Sequence, residues 1–440
     1  MIVLPGDAQY DAARVVWNGA IDRHPAIVVR PTGAEDVLTA VRFAREQDLL
    51  VAVRSGGHSV GGFSTCDGGI VIDLAGMRGV RVDPGRRLAR VNGGALLQEL
   101  DHEAQAFGLA CPVGVVGHTG VAGLSLGGGM GRLQRRYGLT VDNLVSVDLA
   151  TADGRLIHAS EEENGDLFWG IRGAGPNFGV VTSFEFRLHE VGPQVTAGSV
   201  VYPIERAVEM VGVFREFAAT APEEAMLTLA FVLVGPEDPW PELAGQPVLR
   251  LGATHSGSVE DAERDLQPLR GNGAVANTIE PLSYLALQAA NDEALAWGKR
   301  FYMKGGFVKD LSDELVDVCT DRIAEAPSGC EVGFWAQGGA VGRVPEEAMA
   351  FTGRDAPFWA GAEVLWTDPA EDEVHVAWGR ETMDALKPFT TEGAYVNDIV
   401  ESGVDVVRGI YGDAKYERLV ALKRAYDPDN VFRLNQNVKP

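Results

Sequence analysis

Arg54-Ser55-Gly56-Gly57-His58-Ser59, followed by Val60-Gly61-Gly62, sets one imidazole among closely spaced glycines. An apolar run leads into the segment. Two adjacent glycines allow a tight turn whose N–H groups converge on an anion. A pyrophosphate suits such a nest, and the Ser55 and Ser59 hydroxyls add donors. On spacing alone His58 can be a metal ligand, a base or a nucleophile. A glycine-rich turn with a surface histidine fits the same string.

A second concentration of glycine lies between residues 108 and 138: Gly114, Gly117, Gly120, Gly123, Gly127, Gly128, Gly129, Gly131 and Gly138. Glycine loses more backbone freedom on folding than any other residue. Such density therefore needs a reason, and close approach of backbone to a ligand is the usual one. His118, inside the stretch, is either a base near a cofactor or a ring hydrogen-bonded to loop backbone. The chain contains neither G-x-G-x-x-G nor G-x-x-x-x-G-K-[ST], which argues against a nicotinamide Rossmann module and a P-loop hydrolase. It does contain Gly123-Leu124-Ser125-Leu126-Gly127, the G-x-S-x-G string of a nucleophile elbow. In that reading Ser125 attacks and His375 is the base. An elbow needs an apolar strand running into it; here Gly120-Val121-Ala122 precede and Gly128-Gly129 follow. The remaining histidines show no H-x-x-x-H or H-E-x-x-H, so no catalytic zinc is expected.

These loops need elements to hold them. Up to about residue 190, strand and helix signals alternate. Residues 26–29 form an apolar run ended by Pro31. Thr32 and Glu35 read as a T-x-x-E capping box, with Val37, Leu38, Val41 and Ala44 following at helical spacing. Residues 49–53, 70–74 and 88–91 read as strands and 96–107 as an amphipathic helix. After residues 191–193 the texture changes. Strands at 226–234, 248–251, 331–336 and 360–366 alternate with helices at 206–218, 259–269, 313–324 and 371–386, a sheet covered by helices. A last helix, 414–426, is stopped by Pro428, and an Asn-rich tail, 434–437, follows. At roughly 100–200 residues per domain, 440 residues make two or three domains.

Composition narrows the function classes. There are 62 acidic against 38 basic residues, a net charge of −24. Nucleic-acid partners need clustered Lys and Arg, and none is seen. Cys66, Cys111, Cys319 and Cys330 show neither CxxC nor metal spacing. No apolar run approaches the ~18 residues of a membrane span. The N-terminus shows no signal-peptide pattern. The expectation is a cytoplasmic protein with no membrane or nucleic-acid partner; oligomeric state is left open.

The string 54–59, together with Cys66-Asp67-Gly68-Gly69-Ile70-Val71-Ile72-Asp73-Leu74, resembles the berberine bridge enzyme-like FAD-linked oxidases, of the vanillyl-alcohol-oxidase type. The resemblance continues through residues 118–124 (HTGVAGL), 137–143 (YGLTVDN), 166–169 (DLFW), 175–182 (GPNFGVVT), 426–432 (YDPDNVF) and 434–437 (LNQN). Both ends of the chain are covered in the family's order. Residues 195–390 match only in texture.

The resemblance implies a two-domain α+β fold: an FAD-binding domain at 1–195, an antiparallel-sheet substrate domain at 196–410, and a segment at 411–440 returning to the FAD domain. It implies FAD bound covalently through His58. Arg54, Ser55, Gly56, Gly57, Ser59, Gly117, His118, Gly120, Gly123, Gly127, Gly128, Val181, Asn397, Asn435 and Asn437 would surround the cofactor. Relatives with a second tether carry C-P-x-x-G-x-x-G-H. Here residues 111–118 read CPVGVVGH, one residue shorter, which leaves a second bond from Cys111 open. The family's base is often a tyrosine in Y-x-N-Y. Tyr395 and Asn397 match, while Asp398 replaces the second aromatic. Tyr395 is thus the expected proton acceptor, with Asp398, Tyr411 and Tyr137 behind it. Phe334, Trp335, Phe358, Trp359 and Trp366 line a pocket or fill a core. The implied activity is oxidation of a sugar, alkaloid or secondary-metabolite alcohol, with hydride passing to flavin and oxygen as acceptor, giving hydrogen peroxide. The competing readings are the Ser125 hydrolase and a flavin-fold protein that binds a ligand without turnover.

Overall fold

Val51–Arg54 and Ile70–Asp73 are short, nearly unbroken apolar runs, the pattern of strands covered on both faces. In the computed structural model, which describes residues 1–235 and 240–440, the two pair in parallel. Ile27–Val29 joins Ile70–Asp73 on its other side, also parallel, and Ile2–Val3 closes the edge antiparallel. The helix Ala34–Glu46 covers this sheet with Val37, Leu38, Val41 and Ala44. Its start differs from the expected capping box. The N-cap is Gly33, and Asp36 rather than Glu35 accepts from the Thr32 N–H and hydroxyl, both at 2.9 Å.

A second, five-stranded antiparallel sheet runs Val80–Asp83, Leu88–Asn92, Val180–Arg187, Leu144–Ala150, Leu156–Ser160. Only Leu88–Asn92 of these was expected. Between the two sheets and the rest of the chain lies the glycine-rich stretch, whose regular pieces are the two-residue strand Leu109–Ala110 and the short helices Val121–Leu126 and Gln134–Tyr137.

The eight-stranded sheet is antiparallel throughout. Along its main path the order is Ala276–Asn277, Gln194–Pro203, Pro247–His255, Ala225–Leu233, Cys330–Ala336, Phe358–Trp366, Arg300–Val308, with Glu280–Ser283 also on Gln194–Pro203. Helices Ala207–Thr220, Asp313–Ala324 and Asp372–Leu386 pack on one face. The two faces separate by strand alternation. In Cys330–Ala336 the side chains of Cys330, Val332, Phe334 and Ala336 meet the helices, and Glu331, Gly333 and Trp335 face the other way. Phe358–Trp366 repeats this, with Trp359 and Glu363 on the open face.

The last helix, Val404–Tyr426, is longer than expected and is broken at Gly412. The tail after it returns under a buried lock. Lys423 Nζ donates to Asp427 Oδ2 (2.7 Å), Asn177 O (2.8 Å) and Phe432 O (2.8 Å), and Asp427 accepts from the Val431 and Phe432 N–H groups. Asn435 then donates to Pro176 O and Gln436 to Ile399 O. Among the described residues no helix is long and apolar enough to cross a membrane.

Candidate active site

A cavity of about 810 Å³ lies between the parallel strands, the glycine-rich stretch and the open face of the eight-stranded sheet. Residues 55–59 wall it directly after Val51–Arg54, where the parallel strands end. Residues 114–116, 119–120, 179–181, 395–399 and 434–436 complete one side. Thr228, Arg250, Glu331, Trp335, Trp359 and Glu363 form the floor on the sheet.

Glycine is required where the two glycine-rich segments interlock. A Cβ on Gly56 would collide with Gly120 N, and one on Gly120 with Gly56 N. This backbone-to-backbone contact leaves the imidazole of His58 at the cavity wall. Its ring stacks on Trp17, with centroids 4.5 Å apart and planes at 15°, and meets Trp297 edge-on. His58 Nε2 lies 2.6 Å from His118 Nδ1. Burial, with His118 adding to it, lowers the His58 pKa to about 3. The ring is therefore neutral at physiological pH and keeps one nitrogen lone pair.

At the other end, Tyr395 is fully enclosed. Its hydroxyl oxygen accepts from Gly129 N–H (3.1 Å), Met130 N–H (3.3 Å) and Asn397 Nδ2 (2.9 Å). Burial and the neighbouring Asp398 nevertheless raise its pKa against the pull of these donors. Asp398 itself is buried, and its Oδ2 has no hydrogen-bond partner. Burial pushes it up to about 8, held down only by the indole N–H of Trp359, which makes no hydrogen bond of ordinary geometry. Glu331 and Glu363 stand opposite each other across neighbouring strands. Arg250 is paired with Glu331 at 2.6 Å. Glu363 is pushed up to about 8 by burial and by the charges of Glu331 and Asp398.

Of the expected site residues, Ser55, Gly56, Gly57, His58, Ser59, Gly120, Gly123, Val181, Tyr395, Asn397 and Asn435 line this cavity. The others sit elsewhere. Arg54 turns inward, donating to Val15 O (3.0 Å), Ala13 O (2.5 Å) and Asp73 Oδ2 (2.7 Å), so it anchors the loop rather than facing the cavity. Gly117 lies on the far side of its loop, its N–H donating to Asp292 Oδ1 at 2.6 Å. His118 supports His58 from behind. Gly127 and Gly128 make room for Asn397 and Phe351, whose atoms a Cβ would strike. Asn437 is not on the wall, although its Oδ1 is buried and unpartnered. Cys111 is fully buried in the core with Leu97, Leu100 and Leu109. Burial keeps its thiol well above the ordinary value, and residues 114–116 are what that loop presents to the cavity.

The hydrolase reading fails on geometry. Ser125 lies inside the helix Val121–Leu126, not at a strand-to-helix elbow. His375 is on the outer helix Asp372–Leu386, bonded to Glu371 O and Ser328 O. Sequence reading missed Trp17, Trp297, Arg132 and the Glu331–Glu363 pair. The alternation in CEVGFWA would have placed Glu331 and Trp335 on one face; the tryptophans near His58 carry no local signal.

The residues present fit FAD. The cavity wall holds buried oxygens with no partner in the protein: Ser55 Oγ, Ser64 Oγ and Asn435 Oδ1. Ser55 adjoins the glycine turn, as a diphosphate ligand requires.

Comparison with known proteins agrees. Residues 25–160 match a family model described as FAD binding domain, and residues 394–439 one described as berberine and berberine like. The (R)-6-hydroxynicotine oxidase of Paenarthrobacter nicotinovorans is 34% identical, over 100% of this chain and 96% of the relative. The crystal structure of 6-hydroxy-D-nicotine oxidase from Arthrobacter nicotinovorans superposes with a TM-score of 0.87 at 30% identity, covering 100% of this chain and 98% of that one. Glucooligosaccharide oxidase from Acremonium strictum, described with a 6-S-cysteinyl, 8α-N1-histidyl FAD, shares the fold at a TM-score of 0.89 and 23% identity, over 100% and 97% of the chains.

Proposed function

The chain belongs to the berberine bridge enzyme-like FAD-linked oxidoreductases, and from that premise we propose that it holds FAD covalently on His58 and oxidises a small organic substrate, passing electrons to oxygen. The observation that carries the reading is a neutral imidazole on the cavity wall, beside a glycine turn with an unpartnered buried serine. With His118 Nδ1 accepting from His58 Nε2, the lone pair of His58 sits on Nδ1, the nitrogen free to form the tether. One tether suffices here. Cys111 is a neutral thiol in the core, away from the wall, unlike the cysteine of the doubly linked glucooligosaccharide oxidase.

Bound FAD supplies a hydride acceptor and a route for electrons to oxygen, with hydrogen peroxide as product. The protein supplies position and a proton acceptor. A base works best with a pKa near the operating pH. Asp398, at about 8, on the cavity lining and with its Oδ2 unpartnered, meets that condition. Tyr395, raised further, stays protonated; its three donors fix the hydroxyl beside the substrate position. We therefore assign proton acceptance to Asp398 and orientation to Tyr395. The FAD domain comprises residues 1–195 and 411–440, with residues 196–410 forming the substrate domain.

Acid precipitation of the purified protein, followed by peptide mapping of retained flavin, tests this. Flavin on the peptide containing His58 supports the assignment. Flavin released to the supernatant removes the tether, and an adduct containing Cys111 overturns the single bond.

A further inference from the structure

We infer that Asp292 is a positioning residue for the flavin tether, fixing the tautomers of His118 and His58 so that Nδ1 of His58 is the nitrogen left to bond; the inference rests on the His58 tether proposed above. Asp292 lies in the turn between the helix Tyr284–Gln288 and the strand Arg300–Val308. Its carboxylate Oδ1 accepts from Gly117 N–H at 2.6 Å, and its carbonyl oxygen lies 3.4 Å from His118 Nε2. A carbonyl oxygen can only accept. His118 Nε2 therefore carries the proton of that neutral ring, and Nδ1 is left as the acceptor. His118 Nδ1 is 2.6 Å from His58 Nε2, so His58 donates there and its lone pair falls on Nδ1. The direction of the whole chain of hydrogen bonds is set at its far end, by Asp292.

The same turn grips His58 from another side. Trp17, whose ring stacks on the imidazole, donates through Nε1 to Leu295 O at 2.6 Å, and its carbonyl accepts from Gly298 N–H at 3.0 Å. Trp297 meets the imidazole edge-on. Residues 292–298 thus act on both the proton and the plane of the ring. Contact is closest at Gly117, where a Cβ would stand 2.7 Å from Asp292 Oδ2. Any side chain there displaces the carboxylate that holds the turn to the loop.

The chemistry of tethering uses this arrangement. A bond from His58 Nδ1 to the flavin 8α carbon, the position named for the glucooligosaccharide oxidase cofactor, replaces one C–H bond with one C–N bond. Two protons leave, one from that carbon and one from His58 Nε2. Two electrons stay with the flavin until oxygen takes them, together with two protons, as hydrogen peroxide. His118 Nδ1 is placed to receive the Nε2 proton, and Asp292 O holds the His118 ring in the orientation that receives it. In the opposite tautomer His58 Nδ1 bears the proton and has no lone pair to give.

Full-length protein made in riboflavin-starved cells is incubated with FAD, and flavin fluorescence of the denatured protein band is followed over time. Asp292→Ala should tether about tenfold more slowly than the parent, the worth of one hydrogen bond. Asp292→Asn, whose side-chain oxygen still accepts from Gly117, should stay within about twofold of the parent. Gly117→Ala displaces the same carboxylate and should be slowed like Asp292→Ala; it serves where that variant fails to fold. FAD held by the native protein after desalting should be the same in all. Parental tethering rates in Asp292→Ala or Gly117→Ala, an Asp292→Asn as slow as Asp292→Ala, or a loss of held FAD in proportion to the loss of tether overturns the role of Asp292 and leaves the His58 tether standing. A parent whose flavin is released on denaturation, or is bound at another residue, overturns the His58 reading and this inference with it.

Discussion

Asp398→Asn should make the substrate-free protein more stable, and only at neutral to alkaline pH. The carboxyl is raised from its ordinary 3.8 to about 8 by burial. The folded state therefore holds a proton between about pH 4 and pH 8 that the unfolded chain has released. Stability contributed by that proton is complete below pH 4 and is lost as pH rises through about 8. At about 1.4 kcal/mol per pH unit, the span has an upper bound of about 5 to 6 kcal/mol. Cavity water and side-chain relaxation return part of this, so about 2 to 3 kcal/mol is expected. Asparagine has the same shape and does not titrate, so it avoids the loss. It also relieves Glu363, which Asp398 pushes up. For a chain of this length the unfolding entropy makes 1 kcal/mol worth about 1 °C. Melting curves from pH 4.5 to 9 should show parent and variant nearly coincident at the acid end. At pH 9 the variant should melt about 2 to 3 °C higher. A variant that melts below the parent at pH 9, or an offset of equal size at both ends, would refute the reasoning that an uncompensated carboxyl sits in the cavity.

In anaerobic stopped-flow with a substrate that bleaches the flavin, Asp398→Asn should slow reduction by about 10² to 10⁴-fold, the usual worth of a positioned base. Tyr395→Phe should slow it less, and the reverse ranking would return the role of base to Tyr395. Arg54→Met should destabilise the protein by about 3 to 5 kcal/mol, because it strips a partner from buried Asp73. A thermal shift of a few degrees checks this; unchanged melting with lost flavin would instead make Arg54 a cofactor contact. Cys111→Ala should retain all acid-stable flavin at a cost of about 1 kcal/mol of packing, read by absorbance of the precipitate and by melting.

The first glycine-rich loop was legible as a tight turn, though not the direction in which Arg54 and His58 face. Adjacent glycines, a histidine and flanking serines sit within six residues; that the turn faces a cavity depends on strands and loops far away in the sequence. Gly127 and Gly128 show the opposite case. They belong to the dense stretch, but what demands glycine there is a side chain from 270 residues later or from Phe351, and no local pattern reports that. Arg54 was misplaced for a similar reason. Its partner Asp73 is on a neighbouring parallel strand, so the ion pair exists only once the sheet forms. The floor of the cavity was half readable. Strand alternation separates Glu331 and Trp335 from Val332 and Phe334, but which face meets helices depends on how the whole sheet is covered. Asp398 stood out as a departure from the Y-x-N-Y pattern, and its isolation in the cavity gives that departure a physical meaning.

The wall formed by residues 432–436 has a consequence for how the enzyme is made. Of the segments enclosing the cavity, it is the last to leave the ribosome. It takes its place only when Lys423, Asp427 and Asn177 have closed on one another. The glycine loop around His58 emerges more than 370 residues earlier, and must wait with an open flank. A chain stalled short of that tail would carry His58 and its glycine loop without the wall that completes the cavity.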